Sequence, residues 1–69
     1  MDVVQLLGAN VRRHRKLAGM SQEELSLEAG MKRSYVSDLE RGTRNPSVRA
    51  LGRLAQALKI EPHKLLQQS

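Results

Sequence analysis

The sequence predicts an all-α chain of five helices, and three observations carry that expectation. Apolar residues recur at three- and four-residue spacing from Val3 to Leu66, the repeat that lines one face of a helix. The few β-branched residues are scattered and never alternate over a useful length, so strand signals are absent. Helix starts and stops punctuate the pattern at regular intervals, with Ser21 and Ser47 as capping residues and Gly19, Gly30 and Gly42 as stops.

Helix one is expected over Val3 to Ala18, with Val4, Leu7, Val11, His14 and Ala18 on its inner face and Gly19 ending it. Gly8 reads as a weak spot inside it, costing about 1 kcal/mol relative to Ala. Helix two opens at Ser21-Gln22-Glu23-Glu24, a capping box in which Ser21 caps and Glu24 reaches back. Met20 and Leu25 stand where a hydrophobic staple would place them, and Gly30 ends the helix. Helix three is expected over Arg33 to Arg41, burying Val36 and Leu39 and closing at Gly42, with Lys32 a poor cap. Thr43-Arg44-Asn45-Pro46 is a loop by its turn chemistry. Ser47 then caps helix four, Val48 to Leu58, with Val48, Leu51, Leu54, Ala55 and Leu58 turned inward. A fifth, short helix starts at Glu61-Pro62, with Ile60 placed to staple onto Leu65.

Composition narrows the chemistry. The 69 residues are expected to form one domain, 1–69, and a chain of that length buries only about 60% of its unfolded surface. With no cysteine, the residues give no disulfide scaffold, Cys-ligated zinc module or thiol enzyme. The formal charge of +5 favours an anionic partner, nucleic acid or an acidic membrane surface. Tyr35 is the sole Phe, Tyr or Trp, which argues against base stacking on aromatic platforms. The start of the sequence has neither the basic region nor the apolar run of a signal peptide, and nothing approaches a membrane span. The expectation is a cytoplasmic chain.

The informative stretch is Gln22 to Arg41, where Leu25, Ala29, Met31, Val36 and Leu39 are apolar, Ser26 is small and Gly30 sits at the turn. Two short helices joined by a tight turn need a small residue at the crossing and a turn residue tolerant of positive φ. The spacing resembles the helix-turn-helix of the phage repressor and Cro (XRE-type) family. The flanks extend the likeness: Leu7-Gly8, Val11-Arg12, Arg15, Gly19-Met20-Ser21-Gln22-Glu23-Glu24-Leu25 and Leu39-Glu40-Arg41-Gly42. Within that family, Arg33-Ser34-Tyr35-Val36-Ser37 with Arg44-Asn45 looks most like the short stand-alone regulators, including restriction-modification controller proteins. Departures are Lys32 where the family prefers a Ser or Thr cap, Ser26 where Ala is common, and Lys59 where Gly often ends helix four.

The resemblance implies a five-helix, repressor-type DNA-binding domain in which helices two and three form the helix-turn-helix. It also implies a homodimer on a palindromic or pseudo-palindromic double-stranded operator, regulating transcription and its own operon, with RNA polymerase as a further partner and no cofactor. It further implies a partly buried salt bridge between Arg15 and Glu40. With no HExxH and no carboxylate cluster near either histidine, the residues themselves give no metal site. The basic residues follow helix three and its loop rather than the one long helix face a membrane binder needs. If helix three enters the major groove, its outward residues Arg33, Ser34, Ser37 and Asp38 face base edges. Arg33 can fork onto guanine O6 and N7, against the alternative of a solvated charge. Ser34 and Ser37 reach a phosphate or a nearby base, or solvent alone. Asp38 can accept from a cytosine amino group, although pairing with Arg41 or Lys32 competes. Lys32 and Arg41 belong to the same DNA-facing set. Tyr35 is expected at the groove edge, with a core plug as the alternative. Gln22 stands at the helix-two N-terminus, where free amides favour phosphate. Arg44 and Asn45 look like backbone clamps. Lys32 to Arg53 holds six basic and two acidic residues, whereas Met20 to Met31 holds three acids and no base.

His14 reads as a neutral, half-buried packing residue and His63 as exposed. Leu65 and Leu66 are adjacent, so packing one inward leaves the other for a two-fold interface. Rival readings are an antitoxin of the same fold that binds a co-encoded protein, and a basic membrane binder. An enzyme lacks a visible nucleophile and base pair.

Overall fold

The computed structural model describes residues 2–68. Among them are four α-helices, α1 (Val3–Leu17), α2 (Gln22–Ala29), α3 (Arg33–Glu40) and α4 (Val48–Leu58), followed by a 3-10 helix, Pro62–Leu66. The fifth α-helix expected from the sequence is therefore corrected to a 3-10 turn. Five residues opened by a proline hold a 3-10 bond from Lys64 N–H to the Glu61 carbonyl at 3.0 Å. The following carbonyls are claimed by a distant side chain, since Asn10 Nδ2 donates to Leu65 O at 2.8 Å and Gln67 O at 3.0 Å. A buried amide with both donors satisfied fixes the end of the chain against α1.

Local chemistry sets the other boundaries. Asp2 caps α1 through Val4 N–H at 3.2 Å. Past its last residue, Gly19 takes φ +71° while Met20 N–H returns to Arg15 O at 3.1 Å, satisfying carbonyls the helix leaves open. The capping box at α2 is complete. Ser21 Oγ accepts from Glu24 N–H at 3.0 Å, and Ser21 N–H donates to Glu24 Oε1 at 2.8 Å. That backbone N–H holds the Glu24 carboxyl below the usual carboxylate range. Gly30 ends α2 at φ +70°. Ser47 Oγ caps α4 through Ala50 N–H at 3.0 Å, and Lys32 makes no side-chain cap at α3.

The core gathers Leu7 and Val11 of α1, Leu25 and Ala29 of α2, Val36 and Leu39 of α3, Leu54, Ala55 and Leu58 of α4, and Leu65. Each large side chain fully buried there contributes about 1.5–3 kcal/mol of transfer free energy. Two residues expected inside are not. Ala18 is exposed because α1 outruns the elements packed on it, as exposed Lys16 and Leu17 show. Val48, in the first turn of α4, is 86% exposed, on the correct stripe but beyond the cover the other elements supply.

Gly8 is also corrected. A Cβ there would stand 2.1 Å from the Leu39 carbonyl oxygen, so the glycine is the point at which α1 lies directly against the end of α3.

Candidate nucleic-acid interface

The apolar side of α3, Val36 and Leu39, is buried, and this orients the rest of the helix. Lys32, Arg33, Ser34 and Arg41 are exposed, and Ser37 and Asp38 are half-buried. Spaced at three, four and seven positions, Ser34, Ser37 and Arg41 form one outward stripe, with Arg33 and Asp38 alongside.

The helix is braced from behind. Glu40 receives Arg15 Nε at 2.7 Å and Nη2 at 3.1 Å, a two-point ion pair with side chains only 11% and 5% exposed. Arg15 Nη1 also donates to the Met20 carbonyl at 2.9 Å. Gln22 Nε2 donates to Glu40 Oε1 at 3.1 Å. One carboxylate thus ties α3 to α1 and to the first turn of α2. The Glu40 bond raises the Arg15 pKa above its ordinary value, so the guanidinium stays charged throughout the accessible range. Ser21, Gln22, Glu23 and Arg15 line an open polar groove that Arg33 completes from α3. This places Gln22 and Arg33, two of the expected contact residues, beside one another.

The loop after α3 carries the remaining pair. Gly42 takes φ +76°, and Thr43 N–H and Oγ1 both donate to the Asp38 carbonyl at 3.1 Å. Arg44 and Asn45 are both exposed, and Asn45 borders the apolar cleft lined by Val3, Val48 and Leu66. The Arg44 guanidinium stands 4.7 Å from the centroid of the Tyr35 ring, a cation–π distance. Tyr35 itself is half-buried against the core cluster, so its ring serves packing and carries Arg44 at once. Asp38 pairs with Arg41 and, at 3.6 Å, with Arg44. Among the described residues, Arg33 and Lys32 form no ion pair.

Away from α3, His14 is half-buried with Nε2 lacking a hydrogen-bond partner. Burial, then the charges of Arg13 and Lys64, lower its pKa, which keeps the ring neutral near pH 7. His63 is exposed. Leu65 is fully buried and Leu66 is 44% exposed. Leu66 lines an apolar cleft with Val3, Val4, Leu7, Pro46, Val48 and Leu51. No described helix is long and apolar enough to cross a membrane. Asn10 escaped the sequence reading, since an Asn at one position of a helix carries no signal that two carbonyls more than fifty residues on will meet it.

The helix-turn-helix family model matches residues 11–65. An uncharacterized HTH-type transcriptional regulator of Sinorhizobium fredii, y4dJ, is 44% identical over 66 residues, covering 96% of this chain and 86% of that protein. Control protein C.BamHI of Bacillus amyloliquefaciens is 44% identical over 62 residues, covering 88% of this chain and 76% of its own. The crystal structure of the restriction-modification controller protein C.AhdI from Aeromonas hydrophila matches with a TM-score of 0.88 at 44% identity, over 90% of this chain and 94% of that one. The braced α2–α3 pair and these relatives agree, and the chain belongs to the helix-turn-helix family of transcriptional regulators.

Proposed function

We propose that residues 1–69 form one DNA-binding domain that regulates transcription, its own included, as a homodimer on a palindromic operator, with α3 in the major groove. The observation that carries this reading is the braced recognition helix, whose outward stripe is flanked by Gln22 on one side and by Arg44 on the other. Arg33 reads guanine, Ser34 and Ser37 contact phosphate or nearby bases, and Arg44 and Asn45 clamp the DNA backbone. Gln22 and Lys32, at helix starts with open amides, hold phosphate. Arg41 and Tyr35 line the groove edge, and RNA polymerase is a further partner.

The homodimer is supported by the apolar cleft, where Val3, Val48 and Leu66 are 58%, 86% and 44% exposed, an arrangement that a two-fold partner would cover. Two copies of α3 would then stand about 34 Å apart, one DNA turn.

The test is selection of bound duplexes from a random pool, then titration of affinity with salt. A dimer neutralising about 6 to 10 phosphates gives a log–log slope near −0.9 per contact and selected half-sites one turn apart. A flat salt response refutes DNA binding. Sedimentation showing only monomer at tens of micromolar, with Leu66→Ala unchanged in DNA affinity, refutes the dimer.

A further inference from the structure

Positive charge on the outward side of α3 is partly engaged within the chain itself. Asp38 uses both carboxylate oxygens on arginines. Arg41 Nη2 donates to Oδ1, and Arg44 Nη2 stands 3.6 Å from Oδ2. Arg44 is at the same time held over Tyr35. The main chain of Asp38 has a separate task, because its carbonyl anchors the loop through Thr43 N–H and Oγ1. Side chain and backbone can therefore be separated by mutation.

We infer that Asp38 is a specificity-determining residue that acts through Arg41 and Arg44: it holds both guanidiniums in one internal arrangement and so disfavours DNA whose phosphates do not arrive in register. The inference rests on the DNA-binding reading above. Non-specific binding is driven by phosphate neutralisation and is indifferent to geometry. A carboxylate between two arginines weakens that term directly, by its charge on both and by occupying a donor of Arg41. On the operator, α3 is seated and the phosphates occupy fixed places. There an Arg44 already ordered over Tyr35 loses less freedom on binding than a mobile one. The acid thus subtracts more from random DNA than from the operator. A base-reading role for Asp38 would compete with its ion pairs to Arg41 and Arg44, and substitution of the carboxylate separates the two roles.

The test is Asp38→Asn in the full chain, which keeps the shape of the side chain and the Thr43 anchor, measured against selected operator and scrambled duplexes at two salt concentrations. Affinity for scrambled DNA is expected to rise about three- to tenfold, the scale of two exposed ion pairs released. Operator affinity should change less than about twofold, with base preference unaltered at every position. Asp38→Ala, which also removes the carboxylate, should repeat the result. In an Arg41→Gln/Arg44→Gln background the substitution should have no effect, because its partners are gone. An equal gain on both duplexes, or an undiminished gain in that background, overturns the inference in favour of bulk charge. A loss of operator affinity with altered preference at a single base pair overturns it in favour of direct base reading. Parent protein that binds neither duplex removes the DNA reading itself, an outcome the variants cannot mimic.

Discussion

Replacing Gly8 by Ala tests whether α1 and α3 meet backbone to backbone, and the two ways of reasoning about it predict opposite signs. Helix propensity alone favours Ala by about 1 kcal/mol inside a helix. In the folded chain, however, the new Cβ would stand 2.1 Å from Leu39 O, 3.2 Å from Leu39 C and 3.3 Å from Glu40 O. These are main-chain atoms that cannot rotate aside. Restoring an ordinary C···O separation of about 3.3 Å moves α1 off α3 by about 1 Å. That displacement acts on the α1–α3 packing, in which Val11 and Leu39 are both buried, and on the Arg15–Glu40 bonds at 2.7 and 3.1 Å. Overpacking of this kind costs about 1–3 kcal/mol, more when an ion pair is strained with it. Net destabilisation of about 2 kcal/mol lowers Tm by roughly 10 °C in a domain of this size. Gly52 is the control, since it also lies within a helix, α4, but a Cβ there meets nothing within 4 Å. Gly52→Ala should gain the propensity term and raise Tm by roughly 4 °C. Thermal unfolding followed by far-UV circular dichroism reads both. A Gly8→Ala variant that melts at or above the parent would refute the close approach.

Glu40→Gln leaves Arg15 charged and nearly buried without its partner, so a loss of about 3–5 kcal/mol is expected, and a variant melting within a degree or two of the parent would show the brace contributes nothing. Arg33→Ala should cost about 1–3 kcal/mol on the operator and relax one base per half-site. Arg44→Ala should lower affinity for operator and random DNA both and leave base preference unaltered at every position; relaxation at the same base pair from the two substitutions in competition binding would mean that α3 does not read bases. His14 is held neutral in the fold, its pKa lying below the unfolded value of 6.5. The unfolded chain therefore takes up the proton first, and stability present above about pH 6.5 declines as pH falls toward the folded pKa. Melting between pH 7.5 and 5.5 should show that decline in the parent and a flatter profile in His14→Leu; parallel profiles would discount the buried ring. Lys59 ends α4 at φ +59° and ψ +42°, a conformation costly for a side chain, so Lys59→Gly should raise stability by up to about 1 kcal/mol, and a lower Tm would contradict the strain.

Much of this architecture is legible along the chain because its causes lie within four residues of one another. Ser21 meets Glu24, Ser47 meets Ala50, and Gly30 and Gly42 close their helices with positive φ. Periodicity likewise identifies Leu7, Val11, Leu25, Val36, Leu39, Leu54 and Leu58 as core, while the choice of Leu65 over Leu66 is made by the packing. The Arg15–Glu40 pair is implied by the family likeness alone, since no local rule joins residues twenty-five apart. Outward residues of α3 follow from knowing which side is apolar, which is why Arg33, Ser34 and Ser37 could be named at all.

Other features arise only when distant segments meet. Gly8 looks like a defect until α3 lies against it, and Asn10 looks like an ordinary polar residue until the carbonyls of Leu65 and Gln67 arrive. Ala18 and Val48 satisfy the helical period yet remain uncovered, because a period specifies a face and not whether anything packs there. Asp38 has candidate partners on both sides in sequence. Its pairing with Arg41 is a local contact three residues on, expected from the sequence, whereas its pairing with Arg44 depends on the loop after Gly42 folding back over Tyr35. Propensity and capping are short-range terms summed along one segment, whereas a close approach, a buried amide or a shared carboxylate is set by the relative placement of several segments, which the packed core determines.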